Sequence, residues 1–367
     1  MVVVALVVMD YNAQAMSDQT LRCSRDQLML MTRQFACLMS SGVGVARALQ
    51  TLAETEAEPG LKQALTQIHA DICRGQYLSR ACARLPGIFS PVYVAMIETG
   101  ESSGRLNDLL HRMACWLERE SDLLKRLRSA LIYPLTVLTL SLLMLVVVFL
   151  TVIPGFLQVL IDARVPLPWM TRLTFALAAA VASPAAWLLA GCLLLLLAAF
   201  VRERLASEAG REQLYSLALS VPGLRELLTY AAASRFASAM AVLLNAGVDL
   251  LKSLRLAARV SGSPALVREL EDVVQAVKDG QVLSQRLAES PHCPAMLAQL
   301  VAVGEQSAKL AEMFSRGGEF YTLEVHHRVE SLMALLEPVM LAGLSLFVGF
   351  TAVSLMLPLY RMVSSIA

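Results

Sequence analysis

The strongest constraint on this chain is a duplication in which each copy ends in an apolar stretch. The run from Ile97 to Pro134 carries Gly100-Glu101-Ser102-Ser103-Gly104-Arg105-Leu106, a long charged segment and then Tyr133-Pro134. The run from Val301 to Pro338 carries Gly304-Glu305-Gln306-Ser307-Ala308-Lys309-Leu310, a second charged segment and then Glu337-Pro338. Gly304 follows Gly100, Pro338 follows Pro134 and Pro358 follows Pro154 by the same 204 positions. Upstream, Gly247 follows Gly42, Leu254 follows Leu49 and Gly280-Gln281 follows Gly75-Gln76 by 205. Self-similarity on this scale marks one structural unit used twice, here a helical domain of roughly a hundred residues feeding directly into a membrane helix.

Two such domains, each leaving by one outward crossing, share a compartment only if a further crossing returns the chain between them. A hydrocarbon core of about 30 Å takes ~20 apolar residues. Three runs meet that requirement: Leu131 to Ile153, Leu173 to Phe200, and Leu335 to Leu357. With 56% apolar residues and a mean hydropathy of +0.59, the chain reads as a membrane protein with room for soluble domains. The middle run is longer than a crossing needs, which predicts tilt or an interfacial end. Glu337 is the sole Asp, Glu, Lys, Arg or His in the three runs and lies near an end. An acid there is either a functional group or one kept hydrated at the interface, and the residues alone leave both readings open.

Lysine and arginine placement orients the spans. Lys125, Arg126 and Arg128 precede the first, Arg202 and Arg204 follow the second, and Arg316 and Arg328 precede the third. The opposite side has only Arg164, Arg172 and Arg361. The expected order is therefore an N-terminal arm over 1–20, a cytoplasmic bundle over 21–130, a span at 131–153 and a periplasmic loop at 154–172. A span at 173–200, a second cytoplasmic bundle at 201–334, a span at 335–357 and a periplasmic C-terminus at 358–367 complete it.

Within the domains the periodicity is helical throughout, so the expected fold class is all-α: two homologous six-helix bundles and three transmembrane helices. Leu28, Met31, Phe35, Leu38 and Met39 share one face of a first helix that Ser41-Gly42 stops. A second helix spans Val45 to about Glu56, Pro59 starts a third, and a short one covers Leu78 to Arg84. Ser90-Pro91 caps the fifth, and Gly104 opens a sixth that runs unbroken into the membrane. Phe236, Met240, Leu243 and Leu244 open the second bundle in the same way. In the middle span Thr174, Ala178, Ala182, Ala186 and Ala190 form a small-residue stripe, and Ser183-Pro184 predicts a kink. Ser345 and Gly349 offer a shorter stripe in the third span, whereas the first span has no glycine. The middle and third helices are thus the expected packing partners, within one chain or between copies.

The Met1–Met9 run is apolar but too short to cross, and no basic n-region precedes it, so it reads as a short extended arm or a disordered tail rather than a signal peptide. The seven cysteines show no CxxC spacing and read as small buried hydrophobes. Acids and bases nearly balance within each domain, which excludes a nucleic-acid partner. No P-loop, nucleophile elbow or HExxH is read from the chain. Glu324-x-x-His327 has the spacing of a bundle metal pair and Asp108-x-x-His111 loosely resembles it, yet their repeat counterparts do not match. No metal and no cofactor are expected. Gly100 to Gly104 admits two readings. It is a tight turn in which Ser102 or Ser103 caps the sixth helix, or a surface on which Glu101 and Glu305 contact a partner.

These residues resemble the paired signatures of the type II secretion F / type IV pilus PilC family: Gly-Glu-Ser-Ser-Gly-x-Leu with Tyr133-Pro134, and Gly-Glu-x-Ser-x-x-Leu with Leu336-Glu337-Pro338. MTRQFACLMSSGV and FASAMAVLLNAGV resemble the opening helices of that family's two domains, and the likeness covers Gln27 to Tyr360. It implies a polytopic inner-membrane platform with no activity of its own. On its cytoplasmic domains a hexameric assembly ATPase would work, and the platform would help move pilin or pseudopilin subunits from the bilayer into a filament. Homo-oligomers and contacts with other inner-membrane assembly proteins are implied as well. Gly100, Glu101, Gly104, Leu106, Pro134, Gly304, Glu305, Leu310, Glu337 and Pro338 are then motif positions and candidate partner contacts.

Two departures from the family pattern stand out. The longer N-terminal region common in the family is reduced to the apolar arm. Ala308 occupies the second motif's glycine position, which predicts a less tightly made turn. From another class, a solute transporter with parallel repeats would need polar or broken-helix sites at the midplane. The spans offer no central charge and one internal proline.

Overall fold

The computed structural model describes residues 23–162, 168–206, 208–220 and 223–366, and every regular element among them is an α-helix. The N-terminal arm and the loop tip at 163–167 lie outside the described residues. The first repeat comprises α1 (Arg25–Ser40), α2 (Val45–Thr55), α3 (Pro59–Cys73), α4 (Leu78–Ala83), α5 (Pro91–Ser103) and the long α6 (Leu106–Asp162). Then come α7 (Trp169–Ala182), α8 (Pro184–Ala206) and α9 (Glu208–Leu219). The second repeat comprises α10 (Leu224–Ala246), α11 (Leu250–Ser261), α12 (Pro264–Lys278), α13 (Leu283–Glu289), α14 (Ala295–Gln306) and the long α15 (Leu310–Ile366).

The helix boundaries follow from local chemistry. Ser24 and Gln27 form a reciprocal capping box at α1, with the Gln27 N–H donating to Ser24 Oγ and the Ser24 N–H to Gln27 Oε1. Pro91 and Pro264 begin α5 and α12 behind Ser90 and Ser263, whose hydroxyls accept from Tyr93 N–H and Leu266 N–H. Asp249 accepts from Leu251 N–H and Lys252 N–H to start α11. Apolar residues at helical spacing then fall on one side, such as Ala48, Leu49, Leu52 and Ala53 on α2.

The chain divides into two compact units. The first joins residues up to Leu127 with Leu205–Arg328. One contiguous core runs through it, with Met31, Phe35, Leu49 and Met96 from the first repeat and Phe236, Met240, Leu254 and Leu297 from the second. The two sets of helices thus share an interior. α5 packs on α10 and α11, and Lys252 Nζ reaches Glu98 Oε2 at 2.7 Å.

By length and composition α10 could cross a membrane, but 61% of its most apolar stretch is buried inside this unit, against 11% for Leu135–Phe156 in α6. A helix apolar on all sides and enclosed by protein is a core helix. α10 therefore belongs to the soluble body.

The second unit joins Arg128–Arg204 with the residues from Val329 on. Here the apolar side chains point outward: Leu140, Met144, Leu188, Leu189 and Leu346 are all exposed. Contiguous apolar surface on this scale is stable against lipid rather than water. The middle apolar run differs from a single kinked helix. It is two helices, α7 and α8, meeting at Ser183 with a 72° bend. Pro184 lacks the N–H that would continue the ladder, and Ala186 N–H turns to Ser183 Oγ at 3.1 Å instead.

Packing in this unit pairs the middle and third helices as expected, though not through Ser345 and Gly349. Thr171 Oγ1 donates to Ser354 O and Thr174 Oγ1 meets Ser354 Oγ, both at 2.7 Å, so α7 does lie on α15. Ser345 and Gly349 are nevertheless exposed, and Ala182 is too. The first span joins in despite its lack of glycine: Phe149 and Ile153 enclose Ala178, with Phe347 stacked on Phe149 at 5.7 Å. Thr174 belongs to the stripe and bonds Ser354, so the expected pairing of the middle and third helices holds, made by hydroxyl bonds across helices rather than by Ser345 and Gly349.

The cysteines need a second correction. Cys82 and Cys293 are buried, but Cys37, Cys73, Cys115 and Cys192 are exposed. Burial pushes the Cys293 thiol up to about 12 and raises that of Cys82 as well.

Candidate functional site

The doubled Gly-Glu turn links α5 to α6 and, in the second repeat, α14 to α15. Each position in it has a separate physical job. A Cβ on Gly100 would sit 3.1 Å from Leu106 Cα, and one on Gly304 would sit 3.0 Å from Leu310 Cα. Glycine there lets the incoming helix lie directly on the outgoing one. Gly104 takes φ +67°, and Arg105 N–H reaches back to Gly100 O at 3.0 Å, which closes a Schellman turn. Leu106 and Leu310 then start the long helices half-buried against the core.

Ala308 adopts φ +53° and is the sole non-glycine at positive φ among the described residues. Lys309 N–H still reaches Gly304 O at 2.9 Å. The second turn is thus closed like the first, and the substitution is absorbed as backbone strain rather than as a looser turn. Left-handed backbone costs an L-residue about 1–2 kcal/mol, part of which glycine returns as extra freedom when unfolded. Ala308→Gly is expected to raise stability by about 0.5–1 kcal/mol, read as a higher melting temperature of the purified protein. A lower one would show that the turn does not carry this strain.

The glutamate reaches further. Glu101 Oε1 accepts from Leu78 N–H at 2.5 Å, and Oε2 accepts from Ser79 N–H at 3.1 Å and from Ser79 Oγ at 2.5 Å. Glu305 accepts from Leu283 N–H at 2.9 Å and Ser284 N–H at 3.0 Å. These donors open α4 and α13, whose N-cap residues are Tyr77 and Val282 and make no side-chain cap bond. The first N–H groups of a helix have no partner within it, and an acid there also meets the positive end of the helix dipole. The motif glutamate therefore supplies the missing cap from another helix. Its signal was present in the sequence as Gly-Gln-x-Leu-Ser, at 75–79 and again at 280–284.

Ser102 and Ser103 do not cap α6. Their hydroxyls donate to Thr99 O at 3.1 and 2.6 Å, at the end of α5. Absence of a nucleophile elbow also needs this geometry as its reason, because Gly100 to Gly104 does spell G-x-S-x-G. An elbow places serine between a strand and a helix. Here Ser102 closes a helix and bonds that helix's own carbonyl.

In the second unit Tyr133 Oη donates to Glu337 Oε1 at 3.5 Å. Glu337 is the repeat counterpart of Tyr133, so the two long helices meet at equivalent positions, and the acid has a protein partner as well as exposure. Pro134 and Pro338 both lie inside continuous helix one residue further on. Of the metal-like pairs, Asp108 meets Arg105 of the first turn at 3.4 Å and Glu324 Oε1 faces Arg328 Nε at 3.3 Å, and no group of three His, Cys, Asp or Glu side chains converges among the described residues.

In the first unit a groove of about 610 Å³ opens between the first part of α6 and the second repeat. His111, Trp116, Arg119, Ser238, Glu319 and His326 line it, and Arg119 meets Glu319 at 3.1 Å.

The model of the family described as "Type II secretion system (T2SS), protein F" matches this chain twice, over residues 31–154 and 236–358. The type 4 fimbrial assembly protein PilC of Pseudomonas putida is 33% identical over 91% of this chain and 83% of its own length. The type IV pilus assembly protein PilC of Thermus thermophilus is 30% identical over 93% and 83%. The type II secretion system protein F of Xanthomonas campestris is 29% identical over 92% and 83%.

Proposed function

Because this chain belongs to the type II secretion system protein F family, we propose that it is an inner-membrane platform of a type II secretion or type IV pilus assembly machine. The observation that carries this reading beyond kinship is the shared core of the first unit. A body built from two segments separated by apolar spans has to lie on one face of the bilayer. The chain must then cross outward and return between them. Parity makes the bent α7–α8 pair a crossing rather than a re-entrant loop, with α6 leading out and α15 crossing last. Basic residues flanking the spans support a cytoplasmic shared face and a periplasmic C-terminus.

α6 and α15 each run without a break from residues of the first unit into residues of the second. A hexameric assembly ATPase acting on the first unit would displace these helices. Their membrane portions would hand that displacement to pilin or pseudopilin subunits leaving the bilayer for the filament. The work is mechanical, so the platform needs neither catalytic residues nor a cofactor. Several copies associate, and other inner-membrane assembly proteins hold the platform in place.

Full-length protein in lipid nanodiscs, mixed with the assembly ATPase that serves the same filament, tests the proposal. The expected result is co-sedimentation and a changed rate of ATP hydrolysis. No binding in either nucleotide state would overturn the coupling.

A further inference from the structure

The two repeats use different faces to meet each other. From the first repeat comes α5; from the second come α10 and α11. On α5 the residues Val92, Ala95 and Met96 share one face and are all buried, and Glu98 beside them pairs with Lys252. The counterpart of α5 is α14, which puts Met296, Gln299, Leu300 and Val303 on that same face. Met296 is 43% and Val303 53% exposed. The counterpart of the α10–α11 end is α1–α2. There Leu38 and Val43 are only half-buried, whereas their equivalents Leu243 and Val248 are buried.

The contact inside the chain is therefore head-to-tail, and it leaves one unused surface of each kind on every copy. We propose that the exposed face of α14 docks the α1–α2 end of a second copy of this chain, repeating between chains the contact that α5 makes with α10 and α11 within one. The self-association proposed above supplies only the occupant; the surface comes from the comparison of the two repeats. Charge sets its strength. Arg47 stands where Lys252 stands, but Ala302 stands where Glu98 does, so the contact between copies lacks the acid.

Two differently tagged full-length chains test this, co-expressed in a background with the seven native cysteines replaced. One carries Arg47→Cys and the other Ala302→Cys, and a short bifunctional maleimide is added to the membranes. The expected product bears both tags, with no product joining two copies of the same variant. Products between identical variants would overturn the head-to-tail geometry. No mixed product from protein that is oligomeric by size would overturn the surface and leave self-association standing; monomeric protein would overturn both. Independently, Ala302→Glu is expected to tighten self-association about two- to fivefold and Ala302→Arg to weaken it, from the modest strength of exposed ion pairs. Equal association of the two variants would also sink the proposal.

Discussion

Glu101→Ala is expected to destabilise the first unit by about 2–3 kcal/mol, because it strips three charge-assisted hydrogen bonds from the start of α4 at once. Leu78 is buried, so water cannot simply replace the carboxylate at its N–H. Glu305→Ala is expected to cost somewhat less, about 2 kcal/mol, since no hydroxyl joins its two amide bonds. Glutamine keeps one acceptor oxygen and should recover roughly half of either loss. For a body of this size, 1 kcal/mol corresponds to about 2–4 °C in melting temperature. Thermal unfolding of the detergent-solubilised protein reads the effect. The measurement also separates the two readings of the motif. A Glu101→Ala protein that melts with the wild type yet no longer binds the ATPase would return the acid to a partner surface and remove its capping role.

Gly318→Leu is expected to prevent the native packing of the first unit. A Cβ at Gly318 would lie 2.5 Å from Ser238 Oγ and 3.1 Å from the Ser238 backbone nitrogen, so even alanine forces α15 away from α10. A Cβ on neighbouring Gly317 would lie 2.7 Å from Leu297 Cδ1 of α14, and Ser234 Oγ donates to Gly318 O at 3.3 Å across the α10–α15 crossing. Overpacking of this kind costs about 1–3 kcal/mol for a small side chain and more for a large one, which outweighs the ~1 kcal/mol helix-propensity gain over glycine. Gly318→Ala should thus melt lower, and adding Ser238→Ala should restore the part due to the hydroxyl but not the part due to backbone. Protease resistance of the expressed protein reports the leucine variant. Wild-type resistance there would mean that the two helices do not approach so closely.

Much of this was legible from local chemistry. Helix starts at Pro59, Ser90-Pro91 and Ser263-Pro264 need only a capping oxygen or a fixed φ, and the structure begins α3, α5 and α12 there. Gly42 and Gly247 end α1 and α10 with positive φ as their positions imply. The reading of the cysteines failed because burial is not local. The exposed Cys37 and Cys115 sit on faces that nothing covers, and composition does not say which face of a helix a neighbour will take. The alanine stripe named the right partner helix, since its Thr174 bonds Ser354 on α15, but which residues of that helix would be covered was not legible, and Ser345 and Gly349 stay exposed.

The sequence by itself determined that one helical unit is used twice, that each copy runs into an apolar span, and where most helices begin and end. Those properties depend on spacing, hydropathy and single-residue backbone preference, all of which act over a turn or two of chain. Only the tertiary structure showed how far α10, which the repeat assigns to the second bundle, is enclosed although its composition would let it cross a membrane. It also decided that the motif glutamates cap helices 22 or 23 residues upstream, and that the two repeats meet through different faces. Each of these outcomes is set by which groups lose contact with water when distant segments close on one another, and that is a property of the assembled core rather than of any stretch of chain.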